Sequence, residues 1–248
     1  MLFYMLRTYP NICRALINDV NPNLIKAYLT VRNNPEELIT LLHDKAVEYH
    51  NLPSENSRRE YYLSLRQRFN TQSCTRTENS VMFLFLNRTC FNGLYRVNTE
   101  NAFNVAFGRY NNPTKSDEEN IRAASRLLQK VEIVTGDFEQ AESYTGRNTF
   151  VYIDPPYRPI SNSSGFTQYS PAGFDDREQI RLKHFIDRLS PHARIMASNS
   201  DCRGRNPDDT FLEELYAGYR IDRIQVPRSI NANPHGRSKL SELVIRNY

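Results

Sequence analysis

Short apolar runs alternate with stretches of helical spacing along most of this 248-residue chain. Ala15–Asp19 reads as a short buried strand that stops on an acid, and Val131–Thr135 and the run ending at Ile153 repeat that design. Between and around them, Asn23–Val31, Pro35–Tyr49, Arg59–Phe69, Glu78–Asn87 and Asp117–Gln129 have helical spacing, and Asn34-Pro35 is a start signal. Asp175, with Glu178 three residues on, opens another helix at a capping-box spacing. Ala193–Ala197 predicts a strand and Phe211–Ala217 a helix stopped by Gly218. Tyr219–Val226 and Leu240–Ile245 predict two closing strands, a hairpin across the Arg228–Lys239 loop. From Asn92 to Pro113 the chain turns polar, aromatic and loop-like. Strands alternating with helices predict an α/β chain with a doubly wound, Rossmann-like sheet. The mainly helical stretch 45–111 is predicted as an inserted second domain, with 1–44 and 112–248 forming the first.

Charge sharpens this picture more than composition does. Between Arg58 and Tyr110 lie eight arginines, no lysine and three acids, a local excess of five positive charges against four for the whole chain. Ten aromatic residues are interleaved with them. A guanidinium matches phosphates and guanine edges, whereas lysine is a point charge. The plain alternative is a solvated helical face over an aromatic core. A second basic stretch, Arg220–Lys239, sets Arg220, Arg223, Arg228, Arg237 and Lys239 against Asp222 alone, so a polyanionic partner is favoured. Hydrophobic residues at 39%, with 15 Tyr and 13 Phe, suffice for a core without any Trp. No apolar run approaches the roughly 18 residues of a membrane span, and no leader opens the chain. Cys13, Cys74, Cys90 and Cys202 are scattered, with no C-x-x-C pair, which argues against zinc or a disulfide framework and for reduced thiols in a cytosolic protein.

The candidate chemistry sits where the strand before Asp154 breaks. In Asp154-Pro155-Pro156-Tyr157 the prolines neither join a sheet ladder nor continue a helix, and each biases its predecessor to extended backbone. The result is a preset loop holding a carboxylate and a phenol ring at a strand's carboxyl end, where α/β sheets bind ligands. Such a loop suits an exocyclic amine on adenine, whose lone pair is delocalised into the ring. Asp154 and the Pro155 carbonyl would accept hydrogen bonds from the amine and favour its pyramidal, positive transition state, with Tyr157 stacking on the base. A base inside a duplex must be flipped out to reach them. Asp19, Asp137 and Asp154 all end strands. An acid after a second strand of such a sheet commonly takes a ribose hydroxyl, and an acid-aromatic pair like Asp137-Phe138 suits an adenine amino group and ring, so together the three suggest an adenosyl cofactor. The competing reading makes each an ordinary turn residue.

These motifs carry a resemblance. The chain from about Ala15 onward resembles the Dam-type, D12-class adenine-N6 DNA methyltransferases, α/β enzymes that use S-adenosylmethionine. The matches run in order: Ile17-Asn18-Asp19 with Asn21; Phe85-Leu86-Asn87-Arg88; Phe91-Asn92-Gly93-Leu94; Arg96-Val97-Asn98; Phe103-Asn104-Val105 with Phe107-Gly108-Arg109-Tyr110; Gly136-Asp137-Phe138; Asp154-Pro155-Pro156-Tyr157; Ser198-Asn199-Ser200-Asp201; and Val226-Pro227-Arg228-Ser229-Ile230 with Glu242-Leu243. The resemblance implies catalytic roles for Asp154, Pro155, Pro156 and Tyr157, and cofactor contacts for Asp19, Asp137, Phe138 and Asp154. It implies base reading in GATC by Leu94 and Arg96, and DNA contacts from Arg66, Arg88, Asn92, Asn98, Asn104, Arg109 and Tyr110. Double-stranded DNA is the implied partner, with a cognate restriction endonuclease in a restriction-modification setting, in the cytoplasm of a prokaryote or under phage control. No metal is implied.

Two departures qualify the match. Ala106 stands where proline is common in the family. The family's W-x-G-G-K-like opening and F-x-G-x-G loop, which lets backbone approach the cofactor's methionine end, have no counterpart. The nine glycines include no G-x-G, the nearest pair being Gly165 and Gly173, and Met1-Leu2-Phe3-Tyr4 aligns with the helix after that loop. A DNA-binding remnant without catalysis is therefore the competing expectation. A glutamine or cytosine-N4 methyltransferase is disfavoured, because those families carry Asn or Ser where Asp154 stands.

Overall fold

The computed structural model describes every residue except 72–73, 111–112, 114–116, 161–172, 205 and 227–239. It divides into two units, Met1–Gln140 and Ala141–Tyr248. The first unit contains α1 (Leu2–Thr8), β1 (Ala15–Asp19), α2 (Pro22–Asn33), α3 (Pro35–His50), α4 (Glu55–Asn70), α5 (Arg76–Thr89), α6 (Glu118–Leu128) and β2 (Val131–Thr135). Strands β1 and β2 are parallel, with Ala15 opposite Val131 and Asp19 opposite Thr135. Each helix start has a local cause. Asn21 accepts from the Asn23 and Leu24 N–H groups ahead of Pro22, and Ser54 and Thr75 form reciprocal caps with Ser57 and Glu78.

The main core of this unit is aromatic. Leu38, Leu42, Tyr49, Tyr62, Leu65, Phe69, Phe85 and Phe103 are buried together, so the stretch predicted as a separate insert shares its core with Leu38 and Leu42 of α3. Burying one such side chain is worth roughly 1.5–3 kcal/mol. The two buried phenols also need partners. Tyr49 donates to the Tyr110 carbonyl at 2.7 Å and Tyr62 to that of Val105 at 2.8 Å, which ties the irregular segment after α5 onto the helices.

The second unit contains β3 (Thr149–Ile153), α7 (Asp176–Leu189), β4 (Ala193–Ser200), α8 (Phe211–Leu215), β5 (Arg220–Val226) and β6 (Leu240–Arg246). Its sheet has the order β3-β4-β6-β5, with β3 and β4 parallel and the remaining pairs antiparallel. Helix α7 buries Leu182, Phe185, Ile186 and Leu189 on one face and packs on β4. The β5–β6 pairing matches the expected closing hairpin, while its loop, with Arg228, Arg237 and Lys239, lies outside the described residues, as does most of the Val226–Ile230 match.

The chain is thus mixed α/β, but the single doubly wound sheet expected from the sequence is two sheets. Among the described residues, β1 is bonded to a strand along one edge only, through β2, and β3 along one edge only, through β4.

Candidate active site and DNA-recognition surface

In the first unit, the parallel pairing brings two of the predicted acids to neighbouring strand ends. Asp19 closes β1, and its backbone carbonyl accepts the Gly136 N–H at 3.0 Å, fixing the turn that carries Asp137. The Asn18 side chain donates to the Asp137 carbonyl at 2.8 Å. Asp19 Oδ1 accepts the Asn21 N–H at 2.7 Å, and Asp137 Oδ1 accepts that of Glu139 at 3.0 Å. Burial pushes the Asp19 carboxyl above the usual range, against the pull of the Asn21 N–H. Between the two acids the amide oxygen of Asn18 is buried with no partner among the described residues. An orphaned acceptor of this kind costs about 1–3 kcal/mol unless a ligand or water donates to it. Two carboxylates and an open amide oxygen fit the hydroxyls and amino group of an adenosyl group. For the methionine end of such a cofactor, no G-x-G loop is present in the chain.

In the second unit, Asp154 is exposed just beyond β3, and Oδ1 accepts the Ser198 hydroxyl at 2.9 Å. Oδ2 and the Pro155 carbonyl meet no donor among the described residues. Tyr157 is half-buried, its hydroxyl 3.3 Å from Glu242 Oε2 on β6. Burial pushes that phenol well above its ordinary pKa; the Ser198 hydroxyl pulls it down, and the Asp154 and Glu242 carboxylates raise it further. The Pro156 carbonyl accepts the Gln179 side chain at 3.1 Å, and the Arg158 N–H donates to Asn199 Oδ1 at 3.0 Å. The Arg158 guanidinium reaches Asp176 at 2.7 Å and Asp209 at 2.6 Å and lies 4.7 Å over the Phe211 ring. Those two carboxylates raise an already high pKa, so this charge is permanent. None of Ser198, Gln179, Asn199, Arg158 and Glu242 was predicted to act here. Ser198-Asn199 carried the resemblance without a role, and Gln179 gave no signal.

The arginine-aromatic stretch runs through α4 and α5 into the irregular segment after α5. Asn92 and Gly93 have positive φ (55° and 61°), a tight turn that leaves Phe91 and Leu94 exposed. Bridges Cys90–Phe107 and Val97–Phe103 fold the segment back on itself. Among the residues predicted to meet DNA, Leu94, Arg88, Arg109 and Tyr110 are exposed, with Arg109 loosely paired to Glu55 at 3.8 Å. Others serve the fold. Arg66 donates to the Val105 carbonyl at 3.0 Å, and Asn98 Oδ1 accepts the Glu100 and Ala102 N–H groups. Arg96 Nε donates to Asn104 Oδ1 at 2.8 Å, joining the predicted guanine reader to a predicted backbone contact. All four cysteines are free thiols, and burial pushes that of Cys90 up to about 11.

Comparison with known proteins gives this arrangement a family. A family model described as D12 class N6 adenine-specific DNA methyltransferase matches residues 2–230. The chain belongs to that family. This D12-class chain is 40% identical to the Type II methyltransferase M.MjaIII of Methanocaldococcus jannaschii, over 100% of its own length and 84% of the relative's. It is 38% identical to the Type II methyltransferase M1.LlaDCHI of Lactococcus lactis subsp. cremoris, over 95% and 80% of the two lengths. Identity to the DNA adenine methylase of Vibrio cholerae is 32%, over 93% and 79%. The D12 assignment bears out the resemblance drawn from the motifs. Among the described residues, no helix is long and apolar enough to cross a membrane.

Proposed function

We propose that this chain methylates the exocyclic N6 of adenine in double-stranded DNA, with S-adenosylmethionine as donor and GATC as the site. The observation that carries the reading is Asp154 at the end of β3, with Oδ1 held by Ser198 and, among the described residues, no donor on Oδ2 or on the neighbouring Pro155 carbonyl. Oδ2 and that carbonyl each accept one N–H of a flipped adenine amine. They favour the pyramidal, positively charged nitrogen over the planar ground state, which is where stabilisation raises rate. Tyr157 supplies the face on which the base stacks.

S-adenosylmethionine, when bound, supplies an electrophilic methyl group. Asp19 would hold its ribose hydroxyls, and Asp137 and Phe138 its adenine. Residues 45–111 serve as the DNA-recognition domain, set within a catalytic domain of 1–44 and 112–248. There Leu94 and Arg96 read base edges, while Arg88, Arg109 and Tyr110 contact phosphates. A companion endonuclease cutting the same site completes the reading, supported by the Type II names of two relatives. The second reading is a DNA-binding remnant that holds the duplex without transferring methyl.

Transfer of labelled methyl to a GATC duplex and to a scrambled duplex decides between them. Label on GATC alone is expected. Duplex binding with no label, and no micromolar affinity for the cofactor, would establish the remnant.

A further inference from the structure

We propose that Gln179 and Asn199 are positioning residues, a buried brace that fixes the backbone on both sides of Tyr157 and so sets where its ring meets the base. The proposal rests on the methyl-transfer reading above. Pro155 and Pro156 have no N–H, so from Pro155 to Arg158 the backbone can be anchored only through carbonyls and through the N–H groups of Tyr157 and Arg158. The brace takes one of each. Gln179 Nε2 donates to the Pro156 carbonyl at 3.1 Å, Asn199 Nδ2 donates to Gln179 Oε1 at 3.0 Å, and Asn199 Oδ1 accepts the Arg158 N–H at 3.0 Å. Asn199 Oδ1 also accepts the Ser200 N–H at 2.9 Å.

The orientation of both amides follows from the two backbone ends. The Pro156 carbonyl can only accept, so the Gln179 NH2 must face it; the Arg158 N–H can only donate, so the Asn199 oxygen must face it. What remains of each amide, an oxygen and an NH2, is left to pair with the other. Gln179 is 0% exposed and Asn199 2%, so each polar atom is costly unless satisfied, and reversing either amide would strand both. The chain of bonds admits one geometry. It consumes the Pro156 carbonyl and spares that of Pro155, which is the one the amine needs. Asn199 sits on β4 beside Ser198, so the same strand end that aims the Asp154 carboxylate also sets the ring.

The test uses the full chain and two readouts. Gln179→Glu keeps the acceptor for Asn199 but sets a carboxylate oxygen against the Pro156 carbonyl. At about pH 8, kcat should fall at least about tenfold, with KM for a GATC duplex within about twofold. Towards about pH 6 the buried carboxyl takes up a proton, donates to Pro156 and should recover much of the rate, a limb that the parent profile lacks. Deuterium exchange on the free protein reads the brace without any reaction. Asn199→Ala should speed exchange of the Arg158 amide about tenfold or more, leaving the β4–β6 amides other than that of Ser200 unchanged. If that variant does not fold, Asn199→Asp keeps the acceptor for Arg158 and drops the donor to Gln179, and should slow transfer without speeding that amide. Parent-like rate and pH profile in Gln179→Glu, or equal loss of rate and duplex affinity, would overturn the brace. A parent chain that transfers no methyl would instead sink the methyl-transfer reading, and the Arg158 amide would still decide the brace.

Discussion

Asp154 owes its aim to a hydroxyl one strand away. Removing the carboxylate by Asp154→Ala should abolish transfer while duplex affinity stays within about twofold, because in the proposed reaction the carboxylate acts on the amine and not on phosphates. Filter binding beside the methylation assay separates the two; joint loss would refute the role. Ser198→Ala is gentler, since it removes one charge-assisted bond at 2.9 Å. Such a bond is worth about 1.5–3 kcal/mol, so kcat should fall roughly ten- to a hundredfold, with Ser198→Thr restoring part of it. Asp19 carries a pH prediction. Its carboxyl is raised by burial, so its contribution to stability is present below the ordinary carboxylate pKa and is lost as pH rises through its folded value. Asp19→Asn should therefore melt higher than the parent at neutral pH and equally in acid. The same shift makes cofactor affinity decline with acidification earlier than an ordinary carboxylate would, and in Asp19→Asn that decline should vanish; calorimetry reads both.

At the scale of elements, the sequence revealed most helices and strands and misplaced several ends. Glu78 looked like the start of a helix, but it is the third residue of α5, reciprocally capped with Thr75. Arg59 was taken as the start of α4, which begins at Glu55 because Ser54 and Ser57 cap each other, a pairing less conspicuous than Ser or Thr with Glu. At α7 the expected cap residue holds: Asp175 accepts the Arg177 and Glu178 N–H groups, while the Glu178 side chain turns to Arg181. Strand β4 runs three residues past its predicted end, because Ser198, Asn199 and Ser200 look like loop residues until their buried partners are known. For the same reason the acid, prolines and tyrosine of the candidate site were legible and its supports were not: they come from segments distant in sequence. Gly108 shows what a motif glycine is for. A Cβ there would sit 2.5 Å from the Cys90 carbonyl oxygen, where the segment crosses back over the end of α5. Gly108→Ala should destabilise by about 1–3 kcal/mol and weaken duplex binding, checked by thermal melting and binding of the same sample.

For the molecule as a whole, the arginine-rich segment sets a salt dependence. Each phosphate neutralised contributes a slope of about −0.9 in log affinity against log salt. The Arg109 side chain is 77% exposed and, among the described residues, meets only Glu55 at 3.8 Å, an ion pair of little energy. Arg109→Ala should weaken GATC and scrambled duplexes alike and reduce the slope by about one. Arg96→Ala, which also frees Asn104, should erode the preference for GATC more than total affinity. Equal losses on both duplexes would make Arg96 a phosphate contact.

Among the described residues β1 and β3 each pair along one edge, and the other edge of each bears on how the protein behaves in a tube. An unpaired strand edge is a template for another chain. Each of these is five residues long, about 17 Å, and offers only two or three backbone bonds. Edge-to-edge pairing on so short a template is weak and reversible. Sedimentation should therefore show an average mass that climbs with protein concentration, and that persists in high salt, where association through the arginines is screened away.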